Sequence, residues 1–136
     1  FLRLCLEIEK IMDTKQIESY IQGKIQEYYR DLSSCRNLLV GKYYDGQSVM
    51  TYQDILVLGA HAIHEKFCSL SFQNLQVQPI GINIQPVLDG KYMIFVFGQL
   101  RDGTDNPVPF SDCFLMSPVG QDLRIANHIF KITTQI

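Results

Sequence analysis

The first half of the chain distributes apolar and polar residues with the period of a helix. Between residues 17 and 32, apolar side chains recur at spacings of three and four, which places them on one helix face. They are Ile17, Tyr20, Ile21, Ile25, Tyr28, Tyr29 and Leu32. Asp13 and Gln16 are suited to cap the start of this helix.

Two further helices are expected before the pattern changes. A short one lies around residues 36–44 and is followed by the turn signal Asp45-Gly46. The other runs from about residue 60 to residue 70. Its apolar stripe comprises Leu56, Ala60, Ile63, Phe67 and Leu70.

In the second half the period becomes that of extended chain. Four apolar runs are predicted as strands, near residues 73–87, 91–102, 109–117 and 122–133. Asp89-Gly90, between two of these runs, is a strong hairpin signal. The connections are too short to hold crossover helices. The pattern therefore predicts an α+β domain, with an antiparallel meander that carries its helices on one face.

One predicted strand is apolar on both faces. Tyr92, Ile94 and Val96 face one way, and Met93, Phe95 and Phe97 face the other. An antiparallel sheet usually leaves one face to water, so this second face needs a cover. We expect a sheet-to-sheet homodimer through Met93, Phe95 and Phe97, with a large exposed binding patch on a monomer as the alternative.

Composition and charge narrow the possible functions. The 136 residues include 46% hydrophobic and 19% charged residues, which is typical of one globular domain. A net charge of −2 without a Lys/Arg stripe disfavours nucleic-acid binding. No apolar run reaches the roughly 20 residues that a membrane helix needs.

The cysteines and the N-terminus indicate the compartment. Cys5, Cys35, Cys68 and Cys113 form no CxxC pair, so we expect free thiols in a reducing compartment. The first ten residues carry acids where a signal peptide has an uncharged core, which favours the cytosol, the nucleus or both. Because Met12 resembles the start of a small protein, residues 1–11 are predicted to be an extension outside a functional domain of residues 12–136.

Side chains that could do chemistry form no recognised catalytic pattern. His61 and His64 lie with Glu65 in the order HxxHE, which matches no zinc-protease motif and lacks a third ligand. We expect neither a metal nor a cofactor here, only a polar helix face. His128 is expected to be an ordinary, hydrogen-bonded histidine. The segment 102–106 lacks the length and closing Glu of a calcium loop and is predicted to be a turn.

Apolar residues from several elements would surround a concave mouth if the sheet curved strongly. They are Tyr52, Leu70, Phe72, Leu75, Leu100, Ile129 and Phe130, and the acids near them in sequence are Asp54, Asp102, Asp105 and Asp112. An apolar socket with an acidic rim suits an aromatic plug flanked by Lys or Arg. The alternative is that these residues are simply core and solvated turns.

Short pieces spread along the chain together carry a family resemblance. They include Tyr28-Tyr29, Arg36-Asn37-Leu38-Leu39, Ser69-Leu70-Ser71-Phe72-Gln73, Gly98-Gln99-Leu100 and Asn127-His128-Ile129-Phe130-Lys131. No single piece is specific, but from about residue 16 to residue 131 their order and nearly their spacing resemble the nuclear transport factor 2 family. One inserted residue is needed between residues 45 and 51.

The resemblance implies a cone-shaped α+β fold whose curved sheet dimerises, in agreement with the two-faced strand. It implies a carrier rather than an enzyme, which binds the small GTPase Ran in its GDP form and the FxFG repeats of nucleoporins. Such a carrier works in cytoplasm, nucleus and nuclear pore and returns Ran to the nucleus. In the family, an aromatic side chain of Ran enters the cavity and rim acids pair with basic residues of Ran.

Carried over by position, the implied Ran site has a rim aromatic, apolar walls and acids. The rim aromatic is Tyr52, where the family usually has Trp, and Asp105 retains a rim acid. The walls fall at Leu70, Leu75, Leu100, Ile129 and Phe130. Gln53 and Gly103 stand where the family has acids, and the neighbouring Asp54 and Asp102 are the candidates to replace them.

The nucleoporin site departs further from the family. The N-terminal Trp that helps to hold FxFG repeats is missing, and Ile17 is the nearest apolar equivalent by spacing. Phe95-Val96-Phe97-Gly98 itself spells FxFG, but it lies within a predicted strand, and we interpret the match as coincidence.

Two other functions remain open at this point. The same fold hosts isomerases and dehydratases, for which Asp112 or His128 with Tyr28 or Tyr52 would be the candidate catalytic groups. Related domains also act as scaffolds that pair with larger proteins of mRNA export or stress granules. The two missing rim acids keep the scaffold interpretation open.

Overall fold

A computed structural model gives the backbone of residues 2–133 and the side chains of residues 14–133. Its helices are α1 (Leu2–Ser34), α2 (Arg36–Tyr43) and α3 (Ala60–Cys68). All three helices were expected, but α1 runs through Asp13 without a break, so the predicted cap at Asp13 and Gln16 is wrong. Whether residues 1–11 lie outside the functional domain stays a prediction.

The strands form one curved sheet against these helices. They are β1 (Tyr44–Tyr52), β2 (Ile55–Leu58), β3 (Leu75–Pro86), β4 (Tyr92–Asp102), β5 (Val108–Val119) and β6 (Asp122–Ile132). The strand order is β2-β1-β6-β5-β4-β3, and a short 3₁₀ turn at Leu88–Gly90 joins β3 to β4. The four strands expected from the sequence are confirmed as β3 to β6.

The predicted antiparallel meander is confirmed for β3 to β6, but the complete sheet is mixed. β1 pairs in parallel with β6, whereas the other neighbours are antiparallel. β1 was not predicted, because Asp45-Gly46 is a sequence typical of a turn. In the structure these two residues lie within β1. The pairing of β1 with β6 shifts its register between Tyr44 and Val49, and this bulge accommodates them. β2 was missed too, and Leu56 belongs to it rather than to the stripe of α3.

The core lies between the helices and the inner face of the sheet. Strand β4 alternates as expected, because Ile94 and Val96 are fully buried while Met93, Phe95 and Phe97 are exposed. Tyr28 on α1 meets Phe114 of β5 edge to face, with ring centroids 5.4 Å apart. The helices thus cover the inner face, and no element within residues 14–133 covers the outer face.

One end of the core is open to solvent. The sheet also contains a bulge. The β3–β4 register shifts between Pro79 and Gly81, which bends the sheet around the helices. The segment 69–74 between α3 and β3 contains neither helix nor strand, and Leu70 and Phe72 of this segment line the opening. The opening between this segment and the curved sheet leads to the cavity described next.

Candidate binding cavity

An apolar cavity of about 30 Å³ lies between α1, α3, the segment 69–74 and the inner face of the sheet, and it opens toward solvent. Six of the seven apolar residues expected at the mouth line it: Tyr52, Leu70, Phe72, Leu75, Leu100 and Phe130. Its deeper lining includes Tyr28, Tyr29, Asp112 and His128. Of these, Tyr28, Asp112 and His128 were considered as the catalytic groups of an enzyme, and Asp112 was also expected among the acids near the mouth. A space of this size holds about one water molecule.

Ile129 does not line the cavity, so its assignment as a wall is wrong. It is 55% exposed, whereas Phe130 packs against the core. Successive side chains of a strand point to opposite faces, so one of these two neighbours had to face outward. Ile129 belongs to the outer face with Phe95, to which the register connects it through Cys113.

Aromatic rings form the wall nearest the mouth. Tyr52 stacks on Phe130 with ring centroids 5.0 Å apart and an angle of 23°, and Phe130 lies 6.3 Å from Phe110. Tyr52 and Phe130 are register partners on β1 and β6, which fixes the stack. The ammonium group of Lys66 lies over Tyr52, 4.9 Å from the ring centroid. Burial raises the pKa of Tyr52.

The opposite side of the mouth is held by Arg36. Its Nη2 donates to the carbonyl oxygen of Phe72 at 2.7 Å, and its guanidinium lies 5.6 Å from the centre of the Phe72 ring. Its Nη1 is buried without a hydrogen-bond partner within the described residues. Arg36 therefore attaches the segment 69–74 to α2, although that segment has no regular structure of its own.

The floor of the cavity is a chain of hydrogen bonds between buried side chains. Tyr29 donates from its hydroxyl to Asp112 Oδ2 at 2.6 Å, and His128 Nε2 lies 2.6 Å from Asp112 Oδ1. The other ring nitrogen, His128 Nδ1, lies 2.9 Å from the hydroxyl of Tyr44, which lies 2.8 Å from that of Tyr28. Asp112 is 2% and His128 4% exposed.

In one arrangement of the protons, every donor of this floor has an acceptor. With a neutral His128 protonated on Nε2, Tyr28 donates to Tyr44, Tyr44 to Nδ1, and both Nε2 and Tyr29 to the Asp112 carboxylate. With a protonated imidazole the chain would reverse and leave the Tyr28 hydroxyl without an acceptor. Burial, aided by the charge of Asp112, raises the pKa of Tyr28, Tyr29 and Tyr44 well above the ordinary tyrosine value.

The expected rim acids differ in how far they are already engaged. Asp54 Oδ1 forms an exposed ion pair with Lys131 Nζ at 2.9 Å. Asp102 accepts from the backbone N–H of Asn74 at 2.7 Å and from that of Gln73 at 3.1 Å, and so fixes the loop before β3. Asp105 is exposed. Asp54 and Asp102, the candidate replacements, are thus partly committed within the chain.

Gln53 lies in the turn after β1, and its side chain is hydrogen-bonded within the chain. Its side-chain Oε1 accepts from the backbone N–H of Ile132 at 2.9 Å, and its own N–H donates to the Phe130 carbonyl. Gln53 and Asp54 form the two-residue turn between β1 and β2, with φ of 49° and 72°. These positive angles are those of the tight hairpin turns that match sheet twist.

The sequence model of one protein family, described as the nuclear transport factor 2 (NTF2) domain, matches residues 21–132 of the chain. The chain belongs to this family. The matched span contains every residue of the cavity, from Tyr28 on α1 to Phe130 on β6. Ile17, the expected nucleoporin contact, precedes the span and packs partly buried against the core.

Curated relatives carry the same family name. The chain is 34% identical over 110 residues to nuclear transport factor 2 of Oryza sativa subsp. japonica, with 79% of this chain and 89% of the relative covered. It is 32% identical over 113 residues to nuclear transport factor 2 of Saccharomyces cerevisiae, with 82% and 90% covered. These names support a role as a nuclear transport factor.

Solved structures agree with the fold. Nuclear transport factor 2 from Cryptosporidium parvum superposes with a TM-score of 0.78 at 30% identity, covering 82% of this chain and 90% of that one. A putative scytalone dehydratase from Novosphingobium aromaticivorans gives 0.75 at 13% identity, covering 90% and 89%. The second likeness shows the fold alone, and it places a putative enzyme among the proteins that share this family fold.

The remaining candidate groups lie outside the cavity. On α3, His61 Nε2 lies 3.1 Å from Glu65 Oε1, and His64 Nε2 lies 3.6 Å from Cys68 Sγ. Within residues 14–133, no cluster of three or more His, Cys, Asp or Glu side chains is placed to hold a metal ion. Cys35, Cys68 and Cys113 are free, and Cys5 lies outside the described side chains. No described helix has the length and apolar content to cross a membrane.

Proposed function

We propose that this protein is a nuclear transport carrier that binds Ran in its GDP form through the apolar cavity and FxFG nucleoporins through a separate surface. It would then move between cytoplasm and nucleus through the nuclear pore. The observation that carries the proposal is the aromatic socket of Tyr52, Phe130 and Phe110 within a chain of the nuclear transport factor 2 family. The names of the curated relatives support the transport role.

Binding of an aromatic side chain in this socket requires movement at the mouth. The free space of about 30 Å³ is smaller than a phenyl ring. The strands that carry Phe130 and Phe110 are fixed by ladders of hydrogen bonds, whereas Leu70 and Phe72 lie in the irregular segment 69–74. Since Arg36 holds Phe72, we expect the side chain of Leu70 to move outward and the Tyr52–Phe130 stack to receive the incoming ring.

The rim supplies fewer free acids than the family pattern implies. Asp105 is exposed and available to a basic residue of Ran. Asp54 is available if a cation of Ran competes with Lys131, and such exposed pairs contribute only about 0.2–1 kcal/mol. Asp102 keeps its hydrogen bonds to the backbone and contributes negative charge to the rim without changing position. On this proposal, the apolar socket contributes most of the affinity, and the rim orients the partner.

The exposed outer face of the sheet supports the proposed homodimer. Register partners place Phe95, Cys113, Ile129, Thr51 and Leu56 in one row across five strands. Of these, Phe95, Ile129 and Leu56 are exposed, as are Met93 and Phe97 on β4. An apolar face of this extent is unusual on a monomer, and a second copy of the same face would cover it.

The alternative of an enzyme has one observation in its favour, the buried Asp112–His128 pair at the cavity floor. A general acid or base must reach the reacting group with its own donor or acceptor. Here both nitrogens of His128 and the hydroxyls of Tyr28 and Tyr44 are occupied by one another and by Asp112. We therefore favour the carrier.

The proposal is tested by calorimetric titration of the protein with Ran loaded with GDP and, in parallel, with a GTP analogue. We expect binding to the GDP form alone. Phe130→Ala should weaken that binding at least tenfold, because one face of the socket is lost. Ile129→Ala is the matched control on the same strand, since its side chain points to the outer face and should leave the affinity for Ran unchanged.

Each outcome bears on the assignment. A loss with Phe130→Ala and none with Ile129→Ala would support the cavity as the Ran site. Equal losses, or a loss with Ile129→Ala alone, would contradict it. No binding of either nucleotide form to the wild-type protein would overturn the Ran proposal and leave the scaffold and the enzyme as the remaining functions.

A further inference from the structure

Strand β2 forms one edge of the sheet, and its exposed residues are all apolar. Among the described strands it pairs with β1 alone, so its other side is free. Ile55, Leu56 and Leu58 are 55%, 61% and 64% exposed, whereas Val57 is buried. Soluble proteins usually protect such an edge with a charged residue, a proline or a bulge. The sequence of β2 contains neither a charged residue nor a proline.

The edge strand at the opposite side of the sheet differs in this respect. β3 contains Pro79 and Pro86, and its register with β4 shifts next to Pro79. Proline has no backbone N–H to donate, so it interrupts the row of donors that an edge offers to another strand. Of the two edges, β2 is therefore the one that can accept a further strand.

The hydrogen bonds between β1 and β2 show which backbone groups of β2 are free. Gly59 donates from its N–H to the carbonyl oxygen of Ser48 at 2.8 Å. Hydrogen-bonded pairs alternate along an antiparallel ladder, so Val57, two residues earlier, also bonds to β1. Leu56 and Leu58 therefore direct their N–H and C=O groups to the open edge, where no described residue bonds to them.

These free groups match those of a second copy of the chain. When two β2 strands lie antiparallel with Val57 opposite Val57, Leu56 of each copy faces Leu58 of the other. Each of these two pairs exchanges both of its hydrogen bonds, which gives four in total. The arrangement has a twofold axis, so each copy contributes the same residues. Leu56 and Leu58 share one face of the strand, and the exposed leucines of both copies meet there.

Charge does not oppose this arrangement. The acid nearest to β2 is Asp54, directly before the strand. In the antiparallel register it lies opposite residue 60 of the other copy, so the two Asp54 residues are about 20 Å apart along the strands. The pairing therefore brings no like charges together.

A second copy suits this edge better than a free peptide does. A peptide loses conformational freedom when it is ordered as a strand. With only two residues directed outward, β2 offers few hydrogen bonds to offset that cost. In a second copy, β2 is already held in extended form by its ladder with β1.

We propose that two copies of this chain associate through their β2 edges, antiparallel about Val57, so that the sheet continues from one molecule into the next. The hydrogen bonds lie in the plane of the sheet, whereas the proposed dimer uses side chains of the outer face. Because the contact is small, association is expected only above about 0.1 mM. In the wild type it joins outer-face dimers into larger assemblies.

Sedimentation of the Phe95→Arg variant isolates the edge, because this change removes the proposed outer-face dimer. From about 50 μM to about 1 mM, a range suited to a small interface, the mean mass should rise from monomer toward dimer. Adding Leu58→Lys should weaken the association at least tenfold, because it brings two positive charges to the edge. Leu38→Lys is the matched control, since Leu38 on α2 is equally exposed, and it should have no effect.

Hydrogen exchange followed by NMR reports the pairing directly. In the Phe95→Arg variant, the amides of Leu56 and Leu58 should exchange at least threefold more slowly at the high concentration than at the low one. The Val57 amide, already bonded to β1, is the internal control and should change less. Leu56→Pro removes an outward N–H without breaking the ladder with β1 and should abolish the association. Leu56→Ala keeps this N–H and should weaken it less.

Every outcome decides for or against edge pairing. Association that Leu58→Lys abolishes and Leu38→Lys preserves, with slower exchange at Leu56 and Leu58, would support it. A variant that stays monomeric, an association indifferent to Leu58→Lys, or equal effects of Leu56→Pro and Leu56→Ala would overturn it. Protection of the two amides only by an added peptide of alternating Val and Thr would overturn it too and assign the edge to a foreign strand. These measurements do not involve Ran and leave the transport proposal untouched.

Discussion

At the scale of single residues, the buried polar chain from Tyr28 to Tyr29 is the least expected feature of the core. An unpaired carboxylate or imidazole in an apolar interior is strongly unfavourable. Here each group has a partner within 2.9 Å, and the chain is complete only when the tyrosines keep their protons. The network therefore stabilises the fold through its completeness, and loss of any member leaves a buried group unsatisfied.

The raised tyrosine pKa values predict a loss of stability at alkaline pH. Tyr28, Tyr29 and Tyr44 hold their protons in the folded state to higher pH than in the unfolded chain. Their stabilisation is therefore complete below the unfolded pKa, about 10, and is lost as the pH rises above it. Tyr43 and Tyr52 also have raised pKa values and add to the same loss. Each of these tyrosines contributes a slope that approaches about 1.4 kcal/mol per pH unit well above pH 10.

Urea unfolding between pH 9 and pH 11, chosen to bracket the tyrosine pKa of about 10, measures this slope. Tyr29→Phe should reduce this slope, because one of the linked protons is removed. Tyr20→Phe, with its half-exposed ring, should not change it. A wild-type free energy of unfolding that stays constant across this range would show that the tyrosines are not linked to folding.

At the scale of elements, the pairing of β3 with β4 determines the curvature that opens the cavity. The register shift between Pro79 and Gly81 lies opposite Gly98. A Cβ on Gly98 would lie 2.2 Å from the Gln78 carbonyl oxygen and 2.9 Å from Pro79 Cα. Since both neighbours are backbone atoms, they cannot turn aside as a side chain would. The close approach of the two strands therefore requires glycine at position 98.

Gly98→Ala should destabilise the protein by about 1–3 kcal/mol, because the added methyl group forces the two strands apart. Gly41→Ala is the matched control, since no atom lies within 4 Å of a Cβ built there and α2 is regular at that position. That substitution should stabilise by about 0.5–1 kcal/mol. Equal effects of the two changes on the urea midpoint would refute the close approach.

At the scale of the whole molecule, the outer face of the sheet is the feature that a single chain leaves incomplete. Phe95 is 44% exposed in the middle of this face, with Ile129 two strands away. The helices already cover the inner face, so nothing within residues 14–133 covers this one. Dimerisation through it would leave the mouth of the cavity free, because mouth and outer face lie on opposite sides of the strands.

Phe95→Arg should convert the proposed dimer to a monomer in light scattering at micromolar concentration, because it places an unpaired charge in the centre of an apolar interface. Leu38→Arg is the control, since Leu38 is 64% exposed on α2, on the helix side. A dimer that survives Phe95→Arg, or dissociates equally with Leu38→Arg, would contradict the assignment of the interface. A monomeric wild type would favour the exposed binding patch.

The cavity could be predicted only in part from the sequence. Tyr52, Leu70, Leu75, Leu100 and Phe130 were placed correctly because the family resemblance aligns them one by one. Ile129 was not, because the resemblance carries no information on which face of β6 a residue occupies, whereas strand alternation does. Asp112 and His128 were recognised as candidate groups, but their pairing with three tyrosines joins residues from α1, β1, β5 and β6.

Sequence by itself determined the three helices, the strands β3 to β6 and the class of fold, because helical and strand periodicities are local properties that neighbouring residues impose on each other. The alternation in β4 likewise determined that the sheet has two apolar faces. Only the tertiary structure decided the parallel pairing of β1 with β6, the commitment of Asp54, Asp102 and Gln53 to partners within the chain, and the direction of hydrogen bonding on the cavity floor. Each of these depends on residues far apart in sequence, whose contacts exist once the chain has folded.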